Sequence, residues 1–89
     1  MESFKYIVKG KVQGVGYRFF VNLIANKIGI LGNVQNLKNG DVEVFAEGSS
    51  EKLKVFEKYL KIGPSSAIVT DIEKTKMNIK GFKIFEVMY

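Results

Sequence analysis

Hydrophobic positions along the chain change period several times, and each change marks an element. Phe4, Tyr6 and Val8 alternate with Lys5 and Lys9, while Ile7 breaks the alternation. That pattern predicts a strand over 4–12, covered on much of both faces. After a glycine-rich break, Phe20, Ile24 and Ile28 recur at i, i+4, i+8 with Val21 and Ala25 beside them. Residues 19–30 therefore read as a helix with one buried stripe, ended by Gly29 and Gly32. Asn33 to Lys38 is a weaker strand, because asparagine disfavours extended structure. Asn39-Gly40 is the strongest hairpin signal in the chain, read as a two-residue type I′ turn with positive φ at both positions. The answering strand, 41–47, puts Val42, Val44 and Ala46 on one face and Glu43, Phe45 and Glu47 on the other.

Gly48-Ser49-Ser50 breaks that strand and offers a helix N-cap, with Glu51 favourably placed in the first turn. Leu53, Phe56 and Leu60 form a second apolar stripe, stopped by Gly63-Pro64. A β-branched strand over 67–75, a turn over 76–80 and a last strand over 81–87 complete the chain. The order is βαββαβ plus a C-terminal strand. It implies two right-handed split crossovers with both helices on one face of an antiparallel sheet, the ferredoxin-like α+β plait. In that topology the first strand is interior. The segment after it then leaves the end of a central strand, within reach of the strand that carries Asn36.

Composition narrows the chemistry. A length of 89 residues suits a single domain, 1–89. There is no Cys, which removes disulfides, thiolate metal sites and thiol nucleophiles. There is no His either, so the usual neutral-pH acid/base group and the commonest zinc ligand are missing. No basic-then-apolar leader and no run of about 18 apolar residues is seen, so the default expectation is a cytoplasmic protein without membrane association; the oligomeric state is left open, with a monomer favoured. The formal charge of +5 suits an anionic partner, either a phosphorylated small molecule or a nucleic acid. A lysine-rich solvated surface accounts for the same number, since the lysines are scattered rather than blocked.

Candidate chemistry concentrates in Gly10-Lys11-Val12-Gln13-Gly14-Val15-Gly16-Tyr17-Arg18, between the first strand and the first helix. Its glycines admit backbone conformations closed to other residues. Successive N–H groups beside a helix N-terminus can converge on an anion. Arg18, at the helix start, carries a planar fork matched to two phosphoryl oxygens. The plainer readings are a tight turn for the glycines, a surface arginine for Arg18 and an end-of-strand residue for Asn36. Glycine spacing excludes a Walker A or dinucleotide loop. Tyr17 and Phe19 read as packing rather than base-stacking platforms. Asp41 and Glu43 share a strand face, as a metal or acid/base pair would, but a solvated face explains them as well.

The 10–18 stretch resembles the signature of the acylphosphatase family. The likeness continues in Gly32-Asn33-Val34-Gln35-Asn36, Gly40-Asp41-Val42-Glu43, Gly63-Pro64-Ser65-Ser66-Ala67 and Gly81-Phe82-Lys83-Ile84, covering nearly the whole chain. It departs at Asn33, where the family commonly carries a bulky aromatic, a change that bears on packing more than on chemistry. The resemblance implies hydrolysis of the carboxyl-phosphate bond of acyl phosphates to carboxylate and inorganic phosphate, without metal or cofactor. It implies Arg18 as the phosphate-binding arginine and Asn36 as the residue that orients water. Backbone N–H groups of Gln13, Gly14, Val15, Gly16, Tyr17 and Arg18 would hold the phosphoryl oxygens. The absence of His is compatible with this, because a carboxylate leaving group, with a pKa of about 4, needs no proton from the enzyme. The alternative is a non-catalytic phosphate- or RNA-binding module on the same fold. RNA binding is disfavoured by acids in 41–47, where an aromatic ribonucleoprotein motif wants bases.

Overall fold

The computed structural model describes all residues, 1–89. The chain runs β1 (Glu2–Lys11), α1 (Tyr17–Ile28), β2 (Leu31–Asn36), β3 (Val42–Gly48), α2 (Ser50–Ile62), β4 (Ile68–Met77) and β5 (Phe85–Met88). The five strands form one sheet in the order β4-β1-β3-β2-β5. The first four pair antiparallel, as the plait requires, and β1 lies inside the sheet between β4 and β3. The added strand β5 pairs parallel to β2 at the edge, so the completed sheet is mixed.

Both helices pack on one face. Tyr6, Val8, Val34, Val42, Val44 and Ala46 project into a cluster with Val21, Ala25, Leu53, Phe56 and Leu60, all essentially inaccessible to solvent. Fifteen buried residues form this one core, which is the main source of stability. The stripe on α1 is centred one residue from the expected line. Tyr17, Val21 and Ala25 are fully buried, and Phe20, Ile24 and Ile28 flank them half-covered. Helix α1 starts at Tyr17 rather than 19 and ends on left-handed Gly29. Helix α2 is capped by the Ser49 hydroxyl, which accepts from the Lys52 N–H at 3.2 Å.

Two local expectations change. The β2–β3 connection is a hairpin, but Asn39 does not take positive φ, so the turn is not type I′. The Gly40 N–H donates to the Leu37 carbonyl at 3.2 Å, closing a turn over 37–40, and Gly40 alone is left-handed. This is the longer hairpin in which a glycine follows an ordinary turn. Asn39 Oδ1 accepts from the Asp41 N–H at 3.0 Å, a local bond that stabilises the non-inverted turn.

The second change is at the end of the chain, where 81–84 is a strap rather than strand. The N–H groups of Lys80, Gly81 and Phe82 donate to the Glu47 carboxylate instead of a neighbouring strand. Asn33 lies on the sheet face away from the helices, paired in register with Phe45 and Glu86. The aromatic partner of Phe45 is Phe82 of the strap, with ring centres 6.5 Å apart.

Candidate functional site

Strand β1 delivers the chain to the loop 12–16 at one end of the sheet. The Gly10 backbone passes so close to β4 that an added Cβ would stand 2.1 Å from the Ile68 carbonyl oxygen, where a register shift interrupts the pairing. Gly14 and Gly16 are glycines for another reason. Both have positive φ, 73° and 78°, while Val15 between them does not, and a Cβ at either would meet open space. Alternating handedness is the geometry in which successive N–H groups line a concave surface suited to an anion. None of the N–H groups of Gly14, Val15 and Gly16 donates to a main-chain carbonyl. Gly16 is also the N-cap of α1, so the first-turn N–H groups and the positive end of the helix dipole adjoin the loop.

Gly14, Gly16, Tyr17, Arg18 and Asn36 line one cleft of about 260 Å³, together with Val12, Phe19, Asn22, Val87 and Tyr89. Loop, helix start and β2 therefore meet, as the topology requires. Gln13 and Val15 are not among the lining residues. The Gln13 amide donates to the Leu37 and Asp41 carbonyls at 2.7 and 2.9 Å, tying the loop to the β2–β3 hairpin. Val15 packs against the core. Tyr17 lines the cleft although its side chain is part of the core, its hydroxyl donating to the Leu60 carbonyl at 2.7 Å. Burial pushes the Tyr17 hydroxyl well above the ordinary tyrosine range, so it stays a protonated donor.

Arg18 is held from the far end of the chain. Its guanidinium donates to the Met88 carbonyl at 3.0 Å and lies 4.8 Å from the centre of the Tyr89 ring. That contact uses one of five guanidinium donors and leaves the others. Asn36 presents the opposite situation. Its Oδ1 is buried and has no hydrogen-bond partner within the protein. A buried acceptor without a partner costs folding free energy, which makes it a pointer to function.

The shared face of Asp41 and Glu43 is occupied by pairing. Asp41 accepts from Lys9 at 3.0 Å, a bond that holds the Lys9 ammonium above its usual range, and Glu43 accepts from Gln35 at 2.8 Å. No group of three or more His, Cys, Asp or Glu side chains is gathered at metal-binding distance. Sequence reasoning missed Val12, Phe19, Asn22, Val87 and Tyr89 as lining residues; Phe19, read as packing, is exposed. Asn22 follows Arg18 by one helical turn, which is a readable signal. Val87 and Tyr89 reach the cleft only through the parallel pairing of β5, which no local pattern announces.

The chain is similar to known proteins along nearly its whole length. The sequence model described as Acylphosphatase matches residues 4–87. An acylphosphatase of Bacillus licheniformis is 43% identical over 91 aligned positions, covering 100% of both chains. One from Vibrio parahaemolyticus is 40% identical over 84 residues, covering 94% of this chain and 93% of that protein. The crystal structure of an acylphosphatase from Bacillus subtilis superposes with a TM-score of 0.97 at 39% identity, covering 100% of both chains.

Proposed function

The chain belongs to the acylphosphatase family, and on that premise we propose that Arg18 and the 13–18 backbone hold a phosphoryl group while Asn36 orients the attacking water. The reaction is hydrolysis of the carboxyl-phosphate bond of an acyl phosphate. The observation that carries the residue assignment is the meeting, around one cleft, of the Gly14–Gly16 loop, Arg18 and Asn36, whose buried Oδ1 has no partner in the protein.

The chemistry follows from those groups. The loop N–H groups and the Arg18 fork stabilise charge on the equatorial phosphoryl oxygens, the main demand of phosphoryl transfer. Asn36 Oδ1 accepts a hydrogen bond from water and aligns an oxygen lone pair toward phosphorus. The water oxygen bonds to phosphorus, and the phosphorus–acyl oxygen bond breaks with its electron pair on the departing carboxylate. The water proton passes to a phosphate oxygen. Asn36 removes no proton, and with a leaving group of pKa about 4 none is needed from an enzyme acid. No step calls on a metal. Alkyl phosphate monoesters, with far more basic leaving groups, are poor substrates on this mechanism.

The test is hydrolysis of benzoyl phosphate by the wild type and Asn36→Ala, both with EDTA. Rapid wild-type turnover, with kcat down at least about 100-fold in the mutant and inhibition by inorganic phosphate retained, is the expected result. Full kcat in Asn36→Ala would remove the water-orienting role.

A further inference from the structure

Resting on that reading of the cleft, we infer that its mouth is an acyl-group subsite in which Phe19 selects neutral, apolar acyl phosphates, aromatic ones above all. Once the phosphoryl group occupies the loop, Arg18 and Asn36, the other lining residues are Val12, Tyr17, Phe19, Asn22, Val87 and Tyr89. Val12 and Tyr17 are each 1% exposed and close the floor. The acyl half must therefore lie toward Phe19, Asn22, Val87 and Tyr89. Three of those four are apolar or aromatic.

Phe19 has no folding reason to be phenylalanine. Of the seven phenylalanines in the chain, six are buried or half-buried, and Phe19 alone is exposed, at 71%. It stands on the first turn of α1, next in sequence to Arg18, where a polar residue would serve the helix equally well. An aromatic face left in water at the edge of a reactive cleft gains free energy when a ligand covers it.

Charge points the same way. Arg18 is the only charged side chain lining the cleft, and phosphoryl binding uses it. An acyl group carrying a second phosphate or a carboxylate would find no second cation there. A small acyl group such as acetyl offers the ring far less apolar surface to cover than an aromatic one. Asn22 supplies the amide of the mouth. Asn26 Nδ2 donates to the Asn22 main-chain carbonyl at 3.0 Å, which fixes it as nitrogen, and donates to the Asn22 side chain at 3.1 Å. The Asn22 atom it meets must be Oδ1, so the Asn22 Nδ2 donors stay free for a carbonyl oxygen.

The experiment compares kcat and KM for benzoyl phosphate and acetyl phosphate in wild type, Phe19→Ala and Phe19→Leu. The preference for benzoyl over acetyl phosphate, as a ratio of kcat/KM, should fall about tenfold in Phe19→Ala, mainly through the benzoyl KM. Phe19→Leu should keep an intermediate preference. An unchanged ratio in Phe19→Ala, or a fall in kcat for both substrates alike, overturns the subsite. Wild type that turns over neither acyl phosphate defeats the function itself, which separates the two failures. Thermal midpoints of both variants should match wild type, since Phe19 packs little.

Discussion

Strand β3 connects a place where backbone N–H groups meet an anion of the protein itself with one where, on the proposed function, they meet the substrate's. At its far end Glu47 is fully buried, and each carboxylate oxygen accepts two hydrogen bonds. Oε2 accepts from the Lys80 N–H at 2.6 Å and the Ser3 hydroxyl at 3.0 Å, and Oε1 from the Gly81 and Phe82 N–H groups at 3.1 and 3.2 Å. Burial alone would push this carboxyl up. The three N–H groups and the hydroxyl outweigh it and hold the carboxyl below its ordinary range. At the near end, about 16 Å away along the strand, the loop has the same device. Gly81 and Gly16 both turn at φ near 79°, at 79° and 78°. Here the N–H groups have no main-chain acceptor, and Asn36 Oδ1 has no partner. A filled nest stabilises the fold, whereas an open one with an unpaired polar atom beside it costs stability and is kept for a ligand.

The comparison is tested most severely at Arg18. Arg18→Ala should lower kcat/KM for benzoyl phosphate about 10³-fold or more, as expected for loss of a donor to transition-state charge. Arg18→Lys should restore little, because a point charge lacks the bidentate fork. Unfolding free energies from urea titration should fall by less than about 1 kcal/mol in either variant, since the lost contacts are one exposed hydrogen bond to Met88 and the stacking on the exposed Tyr89 ring. Collapse of the fold in Arg18→Ala would mean that the near end is structural after all.

Glu47→Gln attacks the other end and should reverse the pattern. One acceptor oxygen becomes a donor facing donors, so about 3 kcal/mol of stability should be lost, with kcat kept in the fully folded protein. The pH dependence has a definite sign. A carboxyl lowered by folding contributes stability that is complete above its unfolded pKa of about 4.3 and lost as pH falls through the folded value. The gap between wild type and Glu47→Gln in urea should therefore be constant above about pH 5 and shrink in acid. A gap that grew on acidification would contradict the ionised, four-donor arrangement.

The two ends were unequally legible in the sequence. The near end was readable because glycines, Gln13 and Arg18 lie together in one stretch, and because the plait brings Asn36 beside it. The far end was not. Glu47 alternates with Val44 and Ala46 on a face that reads as solvated, and nothing local says that residues 78–84 return to cover it. The same blindness made 81–84 look like strand. Phe82 and Ile84 have strand composition, but a buried carboxylate captured the N–H groups a strand would have used. At Asn39-Gly40 the signal located the hairpin correctly and mistook its geometry. Dipeptide preference senses the need for one left-handed glycine and does not see the Asn39 side chain bonding to Asp41.

The smallest effect gives the cleanest contrast. Gly81→Ala and Gly16→Ala each force a left-handed residue to carry a Cβ, and at both positions that Cβ meets open space. Strain is then the whole stability term, about 1 kcal/mol at either site. If the two nests differ only in whose anion they hold, urea titration should show nearly equal losses. Activity should divide them. Gly81→Ala disturbs a nest filled by the protein's own carboxylate and should keep its kcat/KM for benzoyl phosphate within about twofold. Gly16→Ala tilts N–H groups that on the proposed function meet the substrate, and at an electrostatic site even a small misalignment costs about tenfold or more. Equal stability losses with equal activities would show that the loop N–H groups take no part in the reaction, leaving Arg18 to hold the phosphoryl group alone.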